Sequence, residues 1–339
     1  MDDNDPWIPE GALAGKVAVI TGASAGVGRA IARAFSAAGA KVALIARDHV
    51  GLAATADELG ISLVCPLDVA DAAEVDRVAD AVVGRWGQID IWVNNAMESV
   101  FAPVDQITAA EYRRVMEVNY LGYVHGTLAA LRHMKKRNRG VIMQIGSALA
   151  YRSIPLQSAY CASKSAIRAF SESLRCELLH EKSGIQVTQL HLPAVNTPQF
   201  EVVRNRLPGH PQPMGQIHQP ELIARTAVRA ALKPKRELWI GWPTVKAILG
   251  QRVLPGWLDK KLARDAWEGQ TTDDVPVGHR GKHRDNLYLP IERDFGAHGI
   301  FDDRAQDSSI TEWWREHKGA VVVASAAASA IAALAWRWR

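Results

Sequence analysis

A tyrosine and a lysine four residues apart form the first pair in this sequence that could do chemistry. Tyr160 and Lys164 lie in the stretch 158–180, whose pattern predicts a helix, so their side chains share one helical face. Tyrosine has an ordinary pKa of about 10, and a neighbouring ammonium group lowers that pKa by favouring the phenolate. The pair is therefore predicted to exchange a proton with a substrate oxygen. Taken alone, it could equally be a buried structural contact.

A glycine-rich turn near the amino terminus indicates a nucleotide site. The run TGASAGVG at 21–28 follows the apolar segment 17–20 and precedes a predicted helix at 28–38 that Gly39 ends. Glycines at a strand-to-helix turn let backbone N–H groups approach a pyrophosphate closely. The spacing is GxxxGxG rather than GxGxxG, and a glycine cluster by itself is often only a turn. Its place between a strand and a helix favours dinucleotide binding.

The end of the predicted second strand, 42–45, bears on which dinucleotide binds. An acidic side chain there accepts hydrogen bonds from the ribose 2′-OH of NAD, whereas an arginine suits the 2′-phosphate of NADP. Arg47 occupies this position, so NADP is predicted. Asp48, one residue later, supports NAD as the alternative.

Strands and helices alternate through most of the chain. Strands are predicted at 17–20, 42–45, 62–67, 89–93, 141–145 and 186–192, and long helices at 72–85, 108–136 and 158–180. Apolar strands separated by helices predict a parallel sheet covered on both faces, which is an α/β doubly wound (Rossmann) domain. This catalytic domain is predicted at 12–250, after an N-terminal tail at 1–11. Ser147 follows a strand at the edge where such folds bind ligands.

The composition excludes several classes of protein. Of the 339 residues 48% are hydrophobic, which suits a folded domain. The 40 basic and 36 acidic residues are too evenly mixed to indicate a nucleic-acid partner. Cys65, Cys161 and Cys176 have no CxxC spacing, so reduced thiols are predicted rather than a disulfide or metal site. The acidic start has no basic residue before Lys16 and lacks the pattern of a signal peptide.

Six motifs in order resemble those of the short-chain dehydrogenase/reductase family. They are TGASAGVG, Asp68-Val69, Asn94-Asn95-Ala96, Asn119, Ser147 and Tyr160-Cys161-Ala162-Ser163-Lys164. The resemblance covers about 12–250 and leaves the remainder of the chain unexplained. It implies a nicotinamide-dependent oxidoreductase that interconverts a small-molecule ketone or aldehyde with an alcohol, and a hydrophobic substrate is one option. It also implies a homo-oligomer that associates through the helices at 108–136 and 158–180.

The resemblance assigns roles to individual residues. Tyr160 would act as general acid or base, Ser147 would polarise the substrate carbonyl, and Asn119 would hold a water that relays protons to Lys164. Lys164 would also hold the nicotinamide ribose, Asp68 would contact adenine, and Asn95 would pack near the adenine ribose. The full set predicted to bind the cofactor is Gly22, Ser24, Gly26, Val27, Gly28, Arg47, Asp68, Val69, Asn95, Ala96, Tyr160, Lys164, Pro193, Val195 and Thr197.

Two positions depart from the family pattern. Met97 stands where a glycine usually follows the Asn-Asn-Ala run, which places a larger side chain beside the active site. Leu192-Pro193 stands where a Pro-Gly pair is usual, which alters the backbone expected near the nicotinamide amide. Neither departure removes a catalytic group.

Two segments do not suit a compact core. The stretch 204–220 contains Pro208, Pro211, Pro213 and Pro220, and a long loop after the sixth strand is predicted to be a lid over the substrate, with a solvated insert as the alternative. The stretch 251–318 is predicted to be an irregular extension. Its tryptophans at 257, 267, 313 and 314 are expected to pack it onto the domain.

The segment Gly319–Trp336 is apolar and uncharged over 18 residues. As a helix it would span about 27 Å, close to the roughly 30 Å core of a bilayer. Tryptophans near both ends suit the membrane interfaces. We predict a transmembrane helix that anchors the protein with its catalytic domain in the cytoplasm. The alternative is an alanine-rich interface helix, docked on the domain or on a partner subunit, in a cytoplasmic protein.

Three functions remain open at this point. The first is a reductase or dehydrogenase, which the complete set Asn119, Ser147, Tyr160 and Lys164 favours. The second is a non-catalytic nucleotide-binding protein of the same fold. The third is a membrane-associated scaffold, which the unexplained length after residue 250 supports.

Overall fold

A sheet of seven parallel strands forms the centre of the chain in the computed structural model, which describes residues 11–272 and 284–316. The strands are β1 (Val17–Thr21), β2 (Lys41–Ala46), β3 (Ser62–Pro66), β4 (Ile91–Asn94), β5 (Gly140–Ser147), β6 (Ile185–Leu192) and β7 (Glu237–Trp239). Their spatial order is β3-β2-β1-β4-β5-β6-β7, with parallel pairing throughout. The order reverses between β1 and β4, and doubly wound folds bind ligands in the crevice at that point.

Helices cover both faces of this sheet. They are α1 (Gly26–Ala37), α2 (His49–Asp57), α3 (Ala72–Trp86), α4 (Ala109–Met116), α5 (Gly122–Met134), α6 (Ser158–His180), α7 (Gln199–Val202), α8 (Pro220–Leu232), α9 (Trp242–Val253), α10 (Pro255–Glu268) and α11 (Ile310–Glu316). Alternate residues of β1 enter two different cores. Ala18 and Ile20 pack with α1 and α8, whereas Val17 and Val19 pack with α3, α5 and α6. Apolar strands are required here because both faces are buried.

The predicted doubly wound fold is confirmed, and each predicted strand has a counterpart in the sheet. The long helix predicted over 108–136 is present, because the chain is helical from Ala109 to Met134. It is divided into α4 and α5 by a π-helical turn, Glu117–Leu121, that contains Asn119. Such turns insert an extra residue into a helix and frequently mark functional sites.

The stretch 204–220 is held by short strand pairs rather than by a helix. Arg204–Asn205 pairs with Val100–Phe101, and Ile217–His218 pairs with both Ala194–Val195 and Ala305–Gln306. Pro213 and Met214 from this stretch line the main cavity described below. Part of this stretch therefore lies at the cavity, and its role as a lid stays a prediction.

The extension differs from the prediction in two ways. Its first part is regular, because α9 continues through residue 250 and α10 follows directly. The four tryptophans at 257, 267, 313 and 314, expected to pack it onto the domain, are each about half exposed. Leu287 and Phe301 are buried and pack the extension against the domain.

The predicted membrane anchor, Gly319–Trp336, lies outside the described residues. Within 11–272 and 284–316, none of the helices combines the length and the apolar character that crossing a bilayer requires.

Candidate active site

The glycine turn between β1 and α1 is a close-packed backbone cradle. Gly22 has φ +65°, and a Cβ there would lie 2.8 Å from the Ala96 Cα. A Cβ on Gly28 would lie 2.0 Å from the Gly22 carbonyl oxygen. Both positions therefore require glycine. Because α1 begins without a side-chain cap, the N–H groups of its first turn that follow Gly26 can face an anion.

Asn95 supports this turn from below. Its Nδ2 donates to the carbonyl oxygens of Thr21, at 2.9 Å, and Gly22, at 3.2 Å. The Thr21 hydroxyl in turn accepts from the backbone N–H groups of Asn95 and Ala96. The end of β4 thereby fixes the shape of the glycine turn at the point where the strand order reverses.

Tyr160, Lys164 and Ser147 converge at the carboxyl end of β5. The Lys164 Nζ lies 5.6 Å from the centre of the Tyr160 ring. It donates to the Ile145 carbonyl oxygen at 2.8 Å and to the Tyr123 hydroxyl at 3.1 Å. An ammonium group has three donors, so two protein acceptors leave one donor for a ligand.

Burial dominates the electrostatics of this group. It raises the pKa of the Tyr160 phenol, although a hydrogen bond with Ser147 opposes the shift. It also lowers the pKa of Lys164 to about 7. The pKa of Tyr160 is therefore raised rather than lowered as expected, because burial disfavours the phenolate and also lowers the pKa of the neighbouring Lys164 ammonium group. The phenol is protonated at neutral pH and can donate a proton.

Asn119 is fully buried in the π-helical turn, and both polar atoms of its side-chain amide have hydrogen-bond partners. Its Oδ1 accepts from the Glu98 N–H at 2.7 Å, and its Nδ2 donates to the Glu98 carbonyl oxygen at 2.9 Å and to the Ser163 hydroxyl at 3.0 Å. Ser163 donates to the Tyr160 carbonyl oxygen at 2.7 Å. Asn119 therefore connects the loop after β4 to the helix that carries Tyr160.

One cavity of about 480 Å³ runs along the carboxyl edge of the sheet. The predicted site residues on its wall are Gly22, Ser24, Gly26, Val27, Arg47, Asp68, Val69, Asn95, Ala96, Ser147, Tyr160, Lys164, Pro193, Val195 and Thr197. Gly28 and Asn119 lie behind the wall and support it. Met97, the departure noted in the sequence, also lines the cavity.

Residues 284–296 cross the nucleotide end of this cavity and are called the C-terminal strap below. Arg47 donates to the strap carbonyl oxygens of Asn286, at 2.6 Å, and Tyr288, at 3.2 Å, and it contacts the Glu98 carboxylate. Burial raises the pKa of Glu98 to about 8, although the charge of Arg47 opposes this. The predicted phosphate-binding arginine is thus also a strap anchor.

Further contacts hold the strap along the glycine turn. The Glu292 carboxylate accepts from the N–H groups of His49, at 2.8 Å, and Val50, at 3.1 Å, at the start of α2. The Gly26 N–H donates to the Gly296 carbonyl oxygen at 3.1 Å. Asp48, the residue that supported NAD, accepts from the Val50 N–H and caps α2.

Several residues of the site were missed by reasoning from sequence. Tyr123 is buried against Lys164, and its position four residues after Asn119 was an available signal, since i and i+4 share a helical face. The strap residues Asn286 and Tyr288, which contact Arg47, come 239 and 241 positions after it in the chain. No local pattern predicts contacts at that separation.

Comparisons with known proteins agree with this geometry. A family profile described as short chain dehydrogenase matches residues 16–207. The chain is 32% identical over 266 residues to the uncharacterized oxidoreductase YxnA of Bacillus subtilis (strain 168), covering 76% of this chain and 74% of YxnA. It is 37% identical over 190 residues to a fatty acyl-CoA reductase of Acinetobacter baylyi, covering 54% of this chain and 64% of that protein.

A solved structure is also similar. The crystal structure of a metagenomic short-chain oxidoreductase in complex with NADP superimposes with a TM-score of 0.57 and 27% sequence identity. The match covers 67% of this chain and 97% of the other. The similarity therefore spans nearly all of that protein and about two thirds of this chain.

Proposed function

Since the chain belongs to the short-chain dehydrogenase/reductase family and is an NAD(P)-dependent oxidoreductase, we propose that it uses NADP(H) to interconvert an apolar ketone or aldehyde and the corresponding alcohol. The observation that carries this proposal is the convergence of Tyr160, Lys164 and Ser147 on the same cavity as the glycine turn. A dinucleotide lying along that cavity would bring its reactive ring next to the phenol.

The cavity suits a nicotinamide dinucleotide. The glycine cradle would hold the pyrophosphate, because a glycine turn before a helix lets backbone N–H groups approach the phosphates closely. Glycine is required at Gly22 and Gly28, since a Cβ at either position would clash with neighbouring backbone atoms. NADP rather than NAD is supported by Arg47 on the wall and by the NADP bound in the similar metagenomic oxidoreductase. When bound, the cofactor supplies or accepts the hydride; the remaining chemistry falls to residues of this chain.

Tyr160 is the proposed proton donor in the reduction direction. Because burial keeps its phenol protonated, it can transfer a proton to a carbonyl oxygen as negative charge develops there. The Ser147 hydroxyl would hydrogen-bond the same oxygen and orient it. The third donor of Lys164 would hydrogen-bond a ribose hydroxyl. This contact would hold the nicotinamide ring next to the Tyr160 phenol.

Asn119 is proposed to act through position rather than through direct contact. Both of its amide atoms already have protein partners. A relay water, if the family's relay operates here, would therefore be held by a main-chain carbonyl of the π-helical turn, where the hydrogen-bond register changes.

An apolar substrate is supported by the far end of the cavity. Its wall there consists mainly of apolar side chains, which are Leu149, Ile154, Phe200, Val202, Pro213, Met214, Pro243, Ala247, Leu258 and Leu262. Met214 and Pro213 come from the lid, so the substrate would be enclosed between the lid and α9–α10. The similarity to a protein named fatty acyl-CoA reductase supports a carbonyl compound with a long apolar part.

The proposed domain limits are 12–250 for the catalytic domain and 251–318 for the extension. We further propose that 319–336 anchors the protein to a membrane, supported by its 18 uncharged residues. A homo-oligomer is proposed from the family resemblance.

Replacing Tyr160 with phenylalanine tests the mechanism. We expect Tyr160→Phe to lower kcat by about 10²–10⁴-fold, the usual worth of acid–base catalysis, while NADPH affinity stays close to that of the wild type. Tyr112→Phe is the matched control, because Tyr112 hydrogen-bonds Ser158 on the same helix at 2.6 Å but does not line the cavity. Retention of more than about a tenth of kcat by Tyr160→Phe would contradict the assignment. Binding of NADPH with no turnover of any carbonyl would favour the non-catalytic alternative.

A further inference from the structure

Three residues that line the cavity each carry a buried side-chain atom with no hydrogen-bond partner among the described residues. These atoms are the Ser99 Oγ, the Arg152 Nε and the Thr244 Oγ1. Ser99 directly follows Glu98, which Asn119 holds, and so belongs to the catalytic side. Arg152 and Thr244 have no part in the mechanism above. Buried donors without partners are costly and uncommon in folded proteins, so a partner supplied by a ligand would account for them.

Thr244 lines the cavity from a helix that begins next to Pro193. It is fully buried in the first turn of α9. Gly241, three residues earlier, lies against Pro193, because a Cβ built on it would come 3.3 Å from the Pro193 Cγ. Pro193 is on the proposed nicotinamide side of the cavity. A substrate that extends from the nicotinamide side along α9 would therefore first meet the turn that carries Thr244.

Arg152 contacts α9 further along this helix than Thr244. Its Nη1 donates to the Gln251 Oε1 at 2.8 Å, and its Nη2 donates to the Asp259 Oδ1 at 2.7 Å. Gln251 is seven residues after Thr244, which corresponds to about 10 Å along a helix. Asp259 balances the charge of the guanidinium group, so the free Nε suits an uncharged acceptor better than a carboxylate.

We propose that Thr244 and Arg152 form a second polar subsite, which binds uncharged oxygen carried by the substrate away from the reacting carbonyl. Apolar side chains of Ala247, Leu258 and Leu262 lie on the same wall. The substrate class is therefore a mainly apolar carbonyl compound with at least one further hydroxyl, oxo or ester oxygen. This inference rests on the proposed function, because it assumes that the carbonyl reacts at Tyr160.

The test compares decan-2-one with its derivatives that carry a second oxo group at successive positions. Dissociation constants are measured by calorimetry on the complex of the full-length enzyme with NADP⁺, and turnover is measured separately with NADPH. We expect the wild type to bind at least one oxo derivative about fivefold to tenfold more tightly than decan-2-one, which is the worth of one hydrogen bond. In Thr244→Val, which keeps the shape and removes the hydroxyl, that ratio should fall to about one. Arg152→Lys, which removes the Nε donor and keeps the charge, should also reduce it.

Thr226→Val is the matched control. Thr226 is equally buried, does not line the cavity, and donates to the Leu222 carbonyl oxygen at 2.9 Å. Its variant should keep the wild-type binding ratio and lose thermal stability, whereas Thr244→Val should not be less stable than the wild type. An unchanged ratio in Thr244→Val, or a wild type with no preference for any oxo derivative, would overturn the subsite. Binding with the expected ratio but without turnover would support the subsite and contradict the proposed reaction.

Discussion

Replacing Arg47 with alanine should separate two roles of this residue, which are to hold the C-terminal strap and to bind a 2′-phosphate. The strap contacts are hydrogen bonds to the neutral carbonyl oxygens of Asn286 and Tyr288. Because the guanidinium donor is charged, each such bond contributes about 1.5–3 kcal/mol. Losing them would loosen the wall of the nucleotide site for NADH and NADPH alike, and would weaken the two cofactors by the same factor.

The phosphate contact affects only NADPH. Charge-assisted hydrogen bonds contribute about 1.5–3 kcal/mol, which is about 10-fold to 150-fold in affinity. The phosphate must compete with Glu98 for the guanidinium group. Because burial raises the pKa of Glu98 to about 8, this carboxyl group is mostly protonated at neutral pH and competes weakly. We therefore expect the ratio of the NADPH and NADH dissociation constants to rise by about 10-fold to 100-fold.

Fluorescence titration of Arg47→Ala with each reduced cofactor measures this ratio directly. Asp285→Ala is the control, because Asp285 holds the strap through Arg204 at 3.0 Å and does not line the cavity. It should weaken both cofactors equally. If Arg47→Ala also weakened both equally, Arg47 would be only a strap anchor, and NAD would become the better assignment.

Three further predictions concern Lys164, His298 and the C-terminus. Lys164→Ala should lower both kcat and NADPH affinity, measured by steady-state kinetics and titration, because Lys164 is assigned to both the phenol and the ribose; a loss confined to kcat would remove the ribose contact. The hydrogen bond with Glu221 raises the pKa of His298 to about 9, so the stabilisation by this pair is complete below the ordinary pKa of about 6.5 and is lost as the pH rises through 9. The Tm of the wild type should therefore fall over that range relative to the Tm of His298→Gln, by no more than about 2–4 °C because the ring is partly exposed. Parallel Tm profiles of the two proteins would exclude a stabilising role for protonated His298. A chain ending at Glu316 should stay active and soluble while the full chain sediments with membranes and needs detergent; full-length protein in the detergent-free supernatant would contradict the anchor.

Local sequence was sufficient for the elements and for the residues that chemistry requires at short spacing. Helix α6 has the predicted bounds, 158–180, because its pattern and ends are properties of neighbouring residues. The face shared by Tyr160 and Lys164 follows from a four-residue separation. The glycine turn was recognisable because a strand, a tight turn and a helix follow one another directly along the chain.

Contacts between distant segments were decided only by the tertiary structure. The carbonyl oxygens that accept hydrogen bonds from Arg47 belong to a strap about 240 residues later in the chain. The sequence could therefore predict the charge of Arg47 but not that its donors already have partners in the same chain. The raised pKa of Tyr160 depends on burial by the whole site, whereas sequence spacing indicated only the nearby lysine. The half-exposed tryptophans show the same limit. Periodicity reports which face of one element is apolar, but burial depends on which other elements pack against that face.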